Sequence, residues 1–161
     1  KFNCFVGNNG MGKTNLLDAI HYISFCKSFF NAIDSQNIKH DLPFFAIQAW
    51  INKNGETHEI FCGVKRGAKK QFKHNKKEYE RLSEHIGLYP LVMISPSDIE
   101  LIWDGSEVRR KFMDSIISQY DKVYLEKLIA YNLLEYSFLY HTQPREYFLL
   151  NFESLHLNLL L

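Results

Sequence analysis

The stretch Gly7-Asn8-Asn9-Gly10-Met11-Gly12-Lys13-Thr14 decides the fold. It satisfies G-x-x-x-x-G-K-[ST], the pattern of a phosphate-binding loop. Upstream, Phe2-Asn3-Cys4-Phe5-Val6 is short and apolar, which predicts a strand. Downstream, Leu16, Leu17, Ile20 and Ile23 recur at helical spacing, which predicts a helix opening at the loop. Strand, glycine loop and helix in that order make nucleotide binding the leading hypothesis. The plainer alternative is a glycine turn that caps a helix and binds nothing. The fixed positions Gly7, Gly12, Lys13 and Thr14, all present in this setting, argue against it.

Each residue type has a chemical reason. Glycines at 7, 10 and 12 allow positive φ and let the backbone approach a phosphate. Successive N–H groups then point into one concavity, and the helix after the loop turns its positive end toward the same place. Asn8, Asn9 and Met11 complete the cradle. Lys13 is expected to reach the β- and γ-phosphates of a bound nucleotide. The Thr14 hydroxyl is expected to ligate Mg²⁺.

The remaining composition sets bounds. A chain of 161 residues is a soft prior for one domain, and 46% hydrophobic content suffices for a core. The formal net charge of +1 excludes a strongly basic, histone-like binder and leaves room for a local basic patch. Cys4, Cys26 and Cys62 are far apart and odd in number, without metal-ligand spacing. They read as reduced, mostly buried thiols of a cytoplasmic protein. The histidines lack H-x-x-x-H or H-E-x-x-H spacing, so zinc is not expected. No apolar run reaches membrane-spanning length, and neither a membrane partner nor a signal peptide is expected. The chain starts at Lys1, already in the strand that leads into the loop, which suggests a strand or two upstream.

Beyond the first helix the pattern changes period. Phe45, Ile47, Ala49 and Ile51 alternate on one face, Asn54-Gly55 is a hairpin signal, and Ile60, Cys62 and Val64 return on one face. Residues 71–73 and a turn near His74-Asn75-Lys76 suggest another short strand pair. Residues 79–86 predict a short helix. Leu91-Val92-Met93-Ile94 predicts a buried central strand. Ser97 predicts a helical turn through Leu101. Ser106 predicts the start of a longer helix over 107–134, and Pro144 interrupts the segment after it.

These residues together resemble the RecF family of DNA repair proteins. The resemblance begins with the loop and its flanks, Asn3 to Tyr22, and continues at Lys27-Ser28-Phe29. It is most specific at Ser95-Pro96-Ser97-Asp98-Ile99-Glu100-Leu101-Ile102, at Arg109-Arg110-Lys111-Phe112-Met113-Asp114, and at Tyr124-Leu125, Leu128 and Tyr131-Asn132. It covers about residues 1–132. The fold that it implies is α/β, the first lobe of an ABC-type P-loop NTPase head similar to SMC-type heads. That lobe carries an antiparallel β layer and is followed by the start of a helical lobe. The expected division is 1–105 for the ATP-binding lobe and 106–161 for the helical start, with a tail atypical of the family after about 133.

The resemblance also implies ATP and Mg²⁺ as cofactors and an ATP-dependent homodimer. It implies single-stranded and duplex DNA at gaps as partners, with RecO- and RecR-type mediators. The roles it implies are DNA replication, recombinational repair, the SOS response and recombinase loading. An ABC-type ATPase also needs a signature motif and an acidic pair after a buried strand. Ser95 stands where the acid would follow Leu91-Val92-Met93-Ile94, and Asp98 lies beyond Pro96. No catalytic residue is therefore assigned.

Two basic groups are candidate DNA contacts: Lys69, Lys70, Lys73, Lys76 and Lys77 around the second strand pair, and Arg109 with Arg110. The lysines read equally as a solvated hairpin edge that discourages aggregation. Arg109 and Arg110 oppose the dipole of the helix they open. That points to a phosphate or carboxylate partner, or to pairing with Asp104, Glu107 or Asp114. Two other functional readings stand beside the first. One is a P-loop phosphotransferase, which the β layer disfavours. The other is an inert nucleotide-binding piece without hydrolysis.

Overall fold

A computed structural model describes residues 2–140 of the chain, with side chains to 137; the atypical tail expected after about 133 falls mostly outside these residues. The chain divides into two compact units at Glu80/Arg81, earlier than the boundary expected near 105.

The first unit is one helix on a four-stranded antiparallel sheet. Helix α1 spans Lys13–Phe25, and strands β1 (Phe44–Lys53), β2 (Glu56–Lys65), β3 (Gln71–His74) and β4 (Lys77–Glu78) lie side by side in that order. The β1–β2 turn is Asn54-Gly55, with φ of 55° and 85°, the pair of positive values that a type I′ turn requires. It sets a register in which Phe45 faces Val64, Ile47 faces Cys62 and Ala49 faces Ile60. Asn75 and Lys76 repeat the device between β3 and β4, with φ of 50° and 69°.

Alternation along the strands sends Ile60, Cys62, Val64 and Phe72 to one face, where all four are buried with Tyr22, Phe25 and Cys26 of the α1 segment. Tyr22 meets Phe45 edge to face at 5.7 Å between ring centroids. Burying each large apolar side chain contributes about 1.5–3 kcal/mol, so this face is the main stabilising contact of the unit. The expected strand at 2–6 does not form. Residues 2–8 have no ladder partner among the described residues, and Phe2 and Val6 are exposed. Apolar side chains give a segment strand propensity, but only a neighbour's N–H and C=O make it a strand.

In the second unit, 3-10 turns at Leu82–Glu84 and Pro96–Ile99 precede helices α2 (Glu100–Trp103), α3 (Ser106–Tyr120) and α4 (Lys122–Tyr140). The short helix expected at 79–86 shrinks to the first of these turns. The single helix expected over 107–134 is two. Asp121 leaves helical geometry at φ −116° and ψ 105°. Its side chain accepts the Tyr124 N–H at 3.0 Å, which makes it the N-cap of α4. The Tyr124 hydroxyl donates to Asp114, tying the first turn of α4 to α3.

Residues 91–94 are also not a strand, and Val92 and Ile94 are exposed. Here a side chain takes the place of a neighbouring strand. Buried Gln119 accepts the Leu91 N–H at 2.7 Å and donates to the Leu91 carbonyl at 3.1 Å. The same stretch is held upstream by Lys122, whose ammonium donates to the carbonyls of Ile86 and Ser83. The turn predicted to start at Ser97 starts at Ser95 instead. The Ser95 N–H donates to Asp98 Oδ2 at 2.5 Å, the carboxylate half of a capping box.

Gly87 packs against α3 at φ 84°, and a Cβ there would lie 2.1 Å from the Gln119 carbonyl oxygen. Gly87→Ala is expected to destabilise the second unit by about 2–4 kcal/mol, combining the left-handed strain with overlap against backbone. Gly55 has φ 85° but open space around it. Gly55→Ala is expected to cost about 1–2 kcal/mol. Urea unfolding of the two variants tests the difference.

Candidate nucleotide-binding site

The loop of residues 7–12 leads directly into α1. Gly10 and Gly12 take φ of 81° and 85°, and an added Cβ at either would meet nothing within 4 Å. The backbone angle, not crowding, is therefore what calls for glycine at both. Gly7 does not have positive φ, contrary to the expectation for all three glycines. Gly12 is the residue before the helix and makes no side-chain cap. Its carbonyl accepts the Leu16 N–H at 3.0 Å, closing the first helical turn. The first turn of α1 contains no acidic residue. Its early N–H groups, which have no intrahelical acceptor, and the positive end of its dipole thus suit an external anion.

Lys13 lies across the mouth of the loop. Its ammonium donates to the carbonyls of Gly7 and Asn8, each at 2.7 Å. An ammonium has three N–H donors, so two hold the loop in shape and one remains for a phosphate oxygen. Thr14 comes next, at the same helix end. Asn9 and Met11 are exposed on the loop. No cluster of three or more His, Cys, Asp or Glu suited to a metal occurs among the described residues. These residues fit a magnesium nucleotide in one way: Thr14 offers a single oxygen, and phosphates and water supply the rest of the shell.

The far end of α1 is pinned by polar groups that sequence patterns missed. The Asp18 carboxylate accepts the Ser28 hydroxyl at 2.7 Å and the Phe29 N–H at 2.6 Å, fixing the chain as it leaves the helix. Lys70 is half-buried, with its side chain 13% exposed, and pairs with Asp34 at 2.6 Å. Its ammonium also donates to the Cys26 carbonyl at 2.7 Å and to the Tyr22 hydroxyl at 3.3 Å. The Tyr22 hydroxyl donates in turn to Asp34. Lys70 is therefore withdrawn from the DNA-facing set expected from sequence. A signal for this was present: Lys70 has the same parity as Phe72 and His74, which point inward, and Lys69 and Lys73 have the opposite parity.

Burial dominates the titration of this cluster. It raises the Tyr22 hydroxyl and the Cys26 thiol, and it pushes the Cys62 thiol up to about 12. His21 is lowered by burial, with its ring stacked on Phe25 and Nδ1 at 3.1 Å from the Lys27 carbonyl oxygen. Lys27 is lowered to about 8, by burial first and by the Lys70 charge second.

The other candidate cations separate by role. Arg109 donates to the carbonyls of Leu101 at 3.2 Å and Asp104 at 2.8 Å, closing the C-terminal end of α2. Arg110 makes a long contact to the Ser106 hydroxyl at 3.4 Å. Lys111 pairs with Glu107 at 2.7 Å. Lys73 sits over the Phe61 ring, 5.9 Å from its centroid, and Lys76 and Lys77 are exposed at the β3–β4 turn. Arg109 and Arg110 belong to the second unit and the lysines to the first. Asp98, already excluded as a metal ligand from sequence, commits its Oδ2 to the Ser95 amide.

No family model matches the chain. The chain is 65% identical over 133 residues to the DNA replication and repair protein RecF of Phocaeicola vulgatus, covering 82% of this chain and 36% of that protein. It is 53% identical over 150 residues to the protein of the same name from Flavobacterium johnsoniae, covering 88% and 42%. Among solved structures it is similar to the recombination mediator protein RecF of the RecFOR pathway with ATPrS, at TM-score 0.69 and 32% identity over 81% of this chain and 34% of that one. A RecF–ATP structure superposes at TM-score 0.67 with 30% identity. The chain thus spans little more than a third of the length of the relatives it matches.

The polar pinning of α1 carries a pH signature. The folded pKa of Lys27 lies below the unfolded value of 10.5, so the unfolded chain binds more protons between about pH 8 and 10.5. The stability deficit from Lys27 is therefore full below pH 8 and fades as pH rises through that window. Lys27→Met is expected to be more stable than the parent at pH 7, with the difference shrinking toward pH 10.5. Thermal melts of both proteins across this range check it.

Proposed function

Since the chain belongs to the RecF family over the part it covers, we propose that it binds ATP at residues 7–14 and serves a DNA replication and recombinational repair protein. The observation that carries this is the loop itself. Two left-handed glycines, an uncapped helix end without acids, and a lysine bridging the loop mouth form an anion site. Lys13 neutralises the β- and γ-phosphates, and Thr14 gives Mg²⁺ one oxygen. When bound, the metal supplies charge neutralisation to the triphosphate. The RecF neighbours in complexes with ATP or ATPrS support the choice of nucleotide.

DNA is the proposed macromolecular partner. Lys69, Lys73, Lys76 and Lys77 on the β3–β4 side, with Arg109 and Arg110 in the second unit, are the proposed contacts. Lys70 is removed from that set by its pairing with Asp34, and Arg109 stays in it beside Arg110, since only one of its guanidinium nitrogens is used at the end of α2. The RecFOR setting of the structural neighbours supports mediator proteins of the RecO and RecR type as further partners. An ATP-dependent homodimer, recombinase loading, an SOS role and a cytoplasmic location complete the reading. No helix among the described residues is long and apolar enough to cross a membrane.

The test is calorimetric titration of MgATP into the chain. Lys13→Ala is expected to weaken binding at least about tenfold, since a charge-assisted hydrogen bond to phosphate is worth about 1.5–3 kcal/mol. Equal affinity for parent and variant would remove the loop from the mechanism. Hydrolysis that appears only when a small acceptor is added would transfer the reading to a phosphotransferase.

A further inference from the structure

The sheet has a second face, opposite α1. Parity places Phe44, Trp50, Phe61 and Lys73 on it. Trp50 is 65% exposed and Phe44 57% exposed. Trp50 stands opposite Glu59, and Phe61 stands opposite Gln48 on one side and Lys73 on the other. Trp50 and Phe61 are thus diagonal neighbours, about 7–8 Å apart. The Phe61 ring lies over Gly63, where an added Cβ would meet ring carbons at 3.2 and 3.3 Å. Glycine at 63 therefore lets the ring lie along the sheet. The Lys73 ammonium hangs 5.9 Å from that ring's centroid. Beside them a shallow depression of about 230 Å³ is lined by Glu59, Phe61, Lys73 and Lys76.

Flat aromatic surface next to long-stemmed cations fits a specific chemistry. A nucleobase has a π-face for the aromatic ring, and the phosphates on either side of it suit the ammonium groups. Glu59 is the carboxylate in the group, and it accepts a hydrogen bond from Gln48 at 2.8 Å. Duplex DNA keeps its bases stacked on each other, so along its length it offers this face phosphates but no free base to stack on Trp50. An apolar protein partner would strand Lys73 and Lys76 without acceptors. We propose that this face docks single-stranded nucleic acid, with a base stacked on Trp50 and the adjoining phosphates held by Lys73 and Lys76. The proposal rests on the DNA reading above and narrows it to one strand form and one surface.

Trp50 and Trp103 are the chain's tryptophans, so Trp103→Phe leaves Trp50 as the sole reporter. Titration of this chain with a short oligodeoxythymidine is expected to quench Trp50 emission. A blunt duplex of equal length is expected to leave it unchanged. In anisotropy measurements Trp50→Ala is expected to weaken oligodeoxythymidine binding by about 5- to 150-fold, the value of one stacked base. Trp50→Phe is expected to restore most of it. Removing Lys73 and Lys76 together is expected to flatten the salt dependence by about 0.7 per lysine. An oligonucleotide affinity unaffected by Trp50→Ala overturns the proposal, as does equal quenching by duplex. If duplex still binds in those cases, the DNA reading survives and this surface does not. Binding of neither nucleic acid sinks both. A change in Trp50 emission with protein concentration alone would make this a face between copies of the chain and would also overturn it.

Discussion

The first unit depends on a lysine inside it. The Lys70 ammonium gathers the Cys26 carbonyl after α1, the Tyr22 hydroxyl within α1 and the Asp34 carboxylate from the turn beyond the helix. Lys70 immediately precedes β3, so the cluster ties helix, connecting loop and sheet at one point. A half-buried ion pair is weak evidence of net stability, because desolvation offsets the attraction. Its effect is on arrangement. Once it is made, losing either partner leaves the other half-buried charge without its counter-ion. The position of α1 on the sheet is thereby fixed, and the loop at its other end inherits that position. The helix dipole favours the same layout, with a cation at the C-terminal end and an anion site at the N-terminal end.

How much of this was legible from sequence depended on whether the deciding partner was local. The β1–β2 hairpin was legible because Asn54-Gly55 sets its own turn and alternation then sets the faces. The backbone of the glycine loop before α1 was legible for the same reason, apart from Gly7, whose φ is not left-handed. Residues 2–6 and 91–94 were misread because apolar runs report a tendency to be buried and say nothing of who pairs the backbone. At Leu91 the answer is the amide of Gln119, 28 residues later, which no local pattern announces. The break at Asp121 was missed because the apolar period runs through it. An Asp that captures the N–H three residues on competes with the helix it interrupts.

The basic run at 69–77 shows the same division at the scale of single side chains. Read as a string it is a patch, and read with strand parity it is two things. Lys70 points inward to Asp34, and Lys73 points outward over Phe61. Charge counts alone cannot separate a structural cation from a recognition cation. The face of the sheet can, once a single inward neighbour such as Phe72 fixes the phase. Arg109 is the parallel case in the second unit. Its position opposes the dipole of α3, and carbonyls at the end of α2 accept its Nη1 hydrogen bonds.

Holding a triphosphate and cleaving one make different demands on the chain. Holding needs donors and positive charge, and on the proposed reading Lys13, Thr14 and the uncapped start of α1 would provide them from one helix end. Cleavage needs in addition a positioned water and an acid on the metal, since catalysis of phosphoryl transfer is mostly placement and charge. The acid nearest that role in sequence, Asp98, holds the Ser95 amide at 2.5 Å. Turning it toward a metal would unmake the cap that starts the Pro96–Ile99 turn. On the proposed reading, binding and cleavage would thus draw on different residues, with the loop and helix start assigned to binding.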